Sequence, residues 1–213
     1  MIDYPKPTTN LQSLTELLRG RGAHADPIAC VEDVSPELAE RHVDGFPHSI
    51  AALVFHMNYW MNYELKRIRG ERPKYPAHNS ESFPSTRQNW DHLKRDLAWF
   101  LQEFAKRAQS PRAELDRQIE SVHEGDQKLA GTLEAVLWQI VAHNSYHTGQ
   151  IATLRRALGA WPPKAGRRRY LVSVTNHVGT AALGCPRSGA PRRAAIWALP
   201  KSKQPCVMLR ADG

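Results

Sequence analysis

Between Leu11 and Leu158 the apolar residues fall mostly three or four positions apart, and few segments alternate with period two. That is the repeat of amphipathic helices. Leu11, Leu14, Leu17 and Leu18 outline a first helix, with Asn10 placed to cap it and Gly20 and Gly22 interrupting the chain just past it. A short helical segment is predicted from Asp26 to about Val31, with Pro27 in a first turn where its missing N–H costs nothing. Ser35 and Glu37 begin another turn or short helix, and Gly45-Phe46-Pro47 breaks the chain.

Three stronger elements come next. His48 to Gly70 reads as one helix, mostly buried, through Ile50, Leu53, Val54, Met57, Trp60, Met61, Glu64, Leu65 and Ile68. Lys66, Arg67 and Arg69 suit the negative end of its dipole, and Gly70 suits the position just past its end. The Pro- and Ser-rich stretch ERPKYPAHNSESFPS, residues 71–85, is too long for a tight turn and reads as a crossover or functional loop. Thr86 to about Ala108 carries the stripe Trp90, Leu93, Leu97, Phe100, Leu101 and Phe104, and Ser110-Pro111 ends it. Arg112 to Gly131 is polar, with short strand-like or irregular pieces expected. The last long helix runs from about Thr132 to Leu158, with Leu133, Val136, Leu137, Ile140, Ile151, Leu154 and Leu158 on its core side. Gly159 stops it, and Trp161-Pro162-Pro163 prevents its return. Long amphipathic helices joined by loops predict an all-α four-helix bundle with one long crossover loop.

Composition narrows the setting. In 213 residues, 41% are apolar, enough for a core, yet no apolar run reaches the roughly 18 residues that span a bilayer. MIDYPKPTTN has neither a basic start nor an apolar stretch, so no signal peptide and no membrane association are expected. Cys30, Cys185 and Cys206 show no metal or CxxC spacing, which suits reduced thiols in a cytoplasm. The net charge of +8 suggests nucleic acid until it is located. Gly166 onward holds nine of the 29 Lys/Arg and one of the 21 acidic residues, so residues 1–165 carry 20 of each. A neutral body has no electrostatic footprint for DNA, and no nucleic-acid partner is expected for residues 1–165.

The chemistry lies in HNSYHTGQI, residues 143–151. On a helix, His143 and His147 share one face with Cβ atoms about 5–6 Å apart, so both imidazoles can aim at one cation. Ile140, Ile151 and Leu154 flank that face, which should look inward, and two unpartnered imidazoles there would be costly to bury. Ten histidines make a chance HxxxH pair unsurprising, and alone the pair reads first as core rather than as ligands. His56, among Leu53, Val54, Met57 and Trp60 on another helix, is the candidate third ligand, though alone it too reads as a satisfied core histidine. Three protein nitrogens would leave a position open for water or substrate. Zincin proteases place Glu after the first His as general base; here Asn144 stands there, which disfavours that mechanism. Glu64 either approaches the site from His56's helix or pairs with the basic cluster at that helix's end. Gln150 is placed to orient an imidazole; Trp60 and Tyr146, with the loop Glu71–Ser85, shape a substrate pocket, or Trp60 simply packs and Tyr146 packs or donates a hydrogen bond. His48 sits near the start of its helix, with no metal spacing.

HSIAALVFHMNYW, then IRGERP, then VLWQIVAHNSYHTGQIATLRRALGAWPP resemble the DinB-like (DinB/YfiT) metal-binding four-helix-bundle family over roughly residues 8–165. The resemblance implies a divalent metal, commonly zinc or nickel, held by His56, His143 and His147. Some relatives use a low-molecular-weight thiol, for sulfur transfer or isomerisation, and homodimers are common among them. The residues and the resemblance together support a metal-dependent enzyme, of the thiol S-transferase type or a hydrolase, acting on a small-molecule substrate. A non-enzymatic metal-binding stress protein or sensor is the alternative. A third reading is a bundle whose histidines are only core, with a nucleic-acid-binding tail.

The resemblance also implies an end soon after GAWPP, with a Gly-rich stretch and a terminal Trp. Residues 166–213 instead form a basic, Arg-, Pro- and Ala-rich tail without sustained periodicity, which reads as low in structure. One choice of codons that can encode Gly166 to Ser173, GGG CGG CGA CGG TAC CTG GTA AGC, gives Gly-Gly-Asp-Gly-Thr-Trp-stop when read one base later. The tail is therefore also readable as a frameshift product.

Overall fold

A computed structural model of the chain describes residues 10–20, 23–120 and 131–164. The architecture is all-α. Four long helices form the bundle: α1 (Asn10–Leu18), α4 (Ile50–Ile68), α5 (Trp90–Ala108) and α7 (Leu133–Ala157). Short helices α2 (Ala29–Glu32) and α3 (Pro36–Glu40) lie between the first two, and α6 (Arg112–Leu115) follows the third. The central helix α4 packs on α5 and α7, and α1 packs on the same two from the other side.

Local chemistry sets the ends. The side chains of Ser49, Asn89 and Thr132 accept the N–H groups of Ala52, His92 and Ala135 at the starts of α4, α5 and α7, each using one of the orphan donors of a first turn. Gly70 and Gly159 have φ of 81° and 70° just past α4 and α7, a left-handed geometry that favours glycine at a helix exit.

The expected elements are present with shifted edges. α5 begins at Trp90 rather than near Thr86, because Asn89 takes the cap while the Thr86 carbonyl accepts from the Gln88 side chain instead (2.9 Å). Asp26 holds the turn before α2, its carbonyl accepting from Cys30 N–H and its carboxylate from Ile28 N–H, both at 2.9 Å. In the polar stretch after α5, β1 (Gln118–Ile119) pairs antiparallel with β2 (Gly131–Thr132), Gln118 opposite Thr132 and Ile119 opposite Gly131. The tail from Gly166, with Cys185 and Cys206, lies outside the described residues, as does His123. No helix among the described residues is long and apolar enough to cross a membrane.

The core is continuous. Leu14, Leu18, Met57, Met61, Leu97, Phe104, Leu137 and Ile151 are buried within one cluster. The segments before α4 are fastened to it by polar ties: Trp90 Nε1 donates to the Val34 carbonyl (2.7 Å), and Arg155 donates to the Cys30 carbonyl (2.6 Å) and to Asp33 (2.8 Å). The crossover between α4 and α5 folds back over α4 and carries one turn of 3-10 helix, Asn79–Ser82.

Candidate metal centre

α4 and α7 face each other, and that contact brings His56 to His143 and His147. His56 Nε2 is 3.1 Å from His143 Nε2, and His147 Nε2 is also 3.1 Å from His143 Nε2. One nitrogen from each residue lies within 4.8 Å of the others. His56 and His147 are buried, and His143 is half-buried.

The outer nitrogens of two rings are already committed. Ser82 Oγ donates its proton to the Asn79 carbonyl (2.5 Å), so it accepts from His56 Nδ1 at 2.9 Å. Gln150 Oε1 accepts from His147 Nδ1 at 2.7 Å, and the same amide's Nε2 donates to the Tyr146 hydroxyl at 3.2 Å. A neutral imidazole carries one N–H. With that proton on Nδ1, His56 and His147 turn bare lone pairs toward His143. His143 Nδ1 is buried and makes no hydrogen bond of good geometry among the described residues, the Asn144 side chain being the polar neighbour that acts on it. Its single proton cannot serve Nδ1 and both facing nitrogens at once. Each buried polar atom left unmet costs about 1–3 kcal/mol. A cation accepts all three inner lone pairs. Two nitrogens held at about 2.0–2.1 Å from one zinc, at angles of roughly 90–110°, stand about 2.8–3.4 Å apart, a range that includes the two 3.1 Å separations. With all three nitrogens within 4.8 Å of one another, the cluster is compatible with a metal ion.

The electrostatics favour the ligand form. Burial pushes the His56 imidazole down to about 3, with the charges of His147 and His143 adding to the effect. Burial, then the His147 charge, lowers His143 to about 4. Burial also lowers His147, against the upward pull of its bond to Gln150. All three rings are neutral near pH 7, the state a metal requires.

The DinB family model matches residues 12–177. The chain belongs to the DinB family. No curated protein matches it. The DinB match covers all three histidines and the helices that carry them.

Other residues singled out in the sequence fall on both sides of the DinB site. Gln150 does orient an imidazole. Trp60 meets the His56 ring edge-on at 6.3 Å between centroids, and Tyr146 meets His147 similarly at 5.0 Å while staying largely exposed. Glu64 is not part of the cluster; its carboxylate is held by Arg67 at 2.7 Å on its own helix. Two neighbours in the crossover had no sequence signal of their own: Ser82, fully buried behind His56, and Phe83, whose ring stacks on His56 at 4.2 Å and on His48 at 3.8 Å. His48, which has no metal spacing in the sequence, thereby stands one ring away from the cluster. The Pro- and Ser-rich length of the crossover was the only hint that it would cover a site.

Proposed function

We propose that His56, His143 and His147 ligate one divalent cation, zinc or nickel, and that this DinB protein is a metal-dependent enzyme of the thiol S-transferase type. The observation that carries the reading is the convergence of three Nε2 atoms, two of them with their lone pairs turned inward by Ser82 and Gln150. Three protein ligands leave a position for a small molecule. A cation there supplies the positive charge that keeps a low-molecular-weight thiol as thiolate near neutral pH.

The residues around it support this chemistry over others. Cys30, the cysteine among the described residues, is buried and its thiol is pushed up to about 12, chiefly by burial, so it offers no nucleophile, and in this reading the sulfur comes from a bound thiol. A hydrolase would want a carboxylate base, and Glu64, the sequence candidate, is taken by Arg67. In the transfer, the thiol sulfur bonds to an electrophilic carbon. That carbon's bond to its leaving group breaks, and the thiol proton passes to solvent. Ser82 and Gln150 hold two imidazoles in register throughout, and Phe83 and Trp60 shield the His56 ring.

Metal content of the full-length protein, beside His56→Ala and His143→Ala, tests the site. Stoichiometric metal, lost in both variants, together with thiol-dependent consumption of an alkyl or epoxide electrophile, is the expected result. Metal without turnover on any thiol would indicate a non-enzymatic metal-binding stress protein or sensor. No metal after reconstitution with zinc, nickel or manganese would sink both readings.

A further inference from the structure

Beyond Phe83, away from the histidine cluster, α3, the start of α4 and the end of the crossover enclose an open cleft of about 560 Å³. Its walls carry both signs of charge. Arg41 and Arg87 bring guanidinium groups, and Glu37 and Glu40 bring carboxylates. Neither guanidinium has a hydrogen-bond or ion-pair partner among the described residues, and Arg87 acts on the Glu37 carboxyl only weakly, through its charge. The Glu37 carboxyl is held low mainly by its own backbone N–H and by Ser35, not by a cation in contact. His48 and Phe83 line the same cleft. Because Phe83 stacks on His48 with one face and on His56 with the other, the cleft and the histidine cluster share a single aromatic wall.

We infer that this cleft is the anchoring site for a small amphoteric ligand, one bearing a carboxylate and an ammonium group as an amino acid or short peptide does, with Arg41 and Arg87 gripping the carboxylate. Volume and place fit: small-molecule sites run to about 300–1,000 Å³, and the Phe83 ring is what separates this one from the candidate metal centre. Charge selects the ligand class. A purely anionic molecule meets Glu37 and Glu40, and a purely cationic one meets the two arginines, whereas a molecule with both signs satisfies each wall. Guanidinium forks are matched to carboxylates in paired, charge-assisted hydrogen bonds. That such a ligand presents a thiol to the metal rests on the function proposed above; that the cleft holds its charged end does not.

The test uses full-length protein loaded with cobalt(II). Two thiols are compared: L-cysteinylglycine, which is amphoteric, and N-acetylcysteamine, which is uncharged. Calorimetry reads affinity, and the near-ultraviolet thiolate-to-cobalt absorption band reads contact with the metal. The expected result is that cysteinylglycine binds about tenfold or more tighter than N-acetylcysteamine, as paired charge-assisted bonds would provide. Both thiols give the band, and Arg41→Ala/Arg87→Ala abolishes the advantage. Helical circular dichroism and cobalt content check that the variant is folded. Equal affinity of the two thiols in the unaltered protein, or an advantage that survives in the variant, overturns the cleft assignment; the band with either thiol would then still support the thiol chemistry. An arginine-dependent advantage without the band upholds the cleft and removes the thiol chemistry instead.

Discussion

A single hydroxyl decides how the His56 ring faces. Ser82 is buried, passes its own proton to Asn79, and so takes the Nδ1 proton of His56. Such outer partners fix tautomer and orientation, and losing one typically costs about 10–100-fold in metal affinity. Ser82→Ala is therefore expected to weaken zinc binding by about that factor, read by competition with a chromophoric chelator, while Ser82→Thr retains most of it. The helical spacing of His143 and His147 made two members of the cluster legible in the sequence, and His56 followed from its place in an apolar stripe. Ser82 did not, because a hydrogen bond spanning 26 residues through an irregular loop leaves no period to read. Glu64 was ambiguous for the opposite reason. One face of α4 serves both His56 and Arg67, and spacing alone does not say which of them a carboxylate will meet.

Among the elements, α7 carries the site at its middle and a structural lock at its end. Arg155, almost fully buried, donates to the Cys30 carbonyl, the Ala160 carbonyl and Asp33, while Asp33 also accepts the Lys164 N–H at 2.9 Å. Burial would raise the Asp33 carboxyl, but the bonds from Arg155 and Lys164 and the Arg155 charge outweigh it and hold Asp33 below its ordinary 3.8. Asp33→Ala leaves the guanidinium with carbonyl partners only. Breaking a buried pair costs about 3–5 kcal/mol, and Asp33 is open enough to water to reduce that to about 2–3 kcal/mol. Because the folded value is depressed, the carboxylate's contribution is complete above 3.8 and is lost as pH falls through the lower folded value. Urea unfolding should thus show a gap between the two proteins at neutral pH that closes in acid. The helices themselves were legible because period and cap agree, as at Thr132. Thr86 misled because it competes with Asn89 for the same cap, and propensity does not rank two good caps three residues apart.

For the molecule as a whole, the charge balance separates a neutral body from a basic tail, and the family match reaches only residue 177. A chain stopped after Ala165 is expected to bind as much metal and to melt at the same temperature as the full chain, by metal analysis and calorimetry. A loss of either would place some part of residues 166–213 within the working unit. The encoding DNA tests the frameshift reading: codons that give no Trp and stop one base later would end it. Fold class was legible at this scale because a bundle is a statement about faces, and faces follow from periodicity. The cleft was not, since Arg41 and Arg87 are far apart in the chain and come to line one cleft only through the packing of the crossover on α4.

That closure has a consequence for how the protein can be observed. Phe83 lies flat between two imidazoles, within 7° of His48 and 10° of His56. Protons above and below an aromatic face are shielded by its ring current, so the carbon-bound protons of both histidines resonate upfield for as long as the crossover is docked. The two sets of lines return toward ordinary histidine positions together when it lifts. One residue thus writes the state of a loop into the spectrum of the site beneath it, with no label attached.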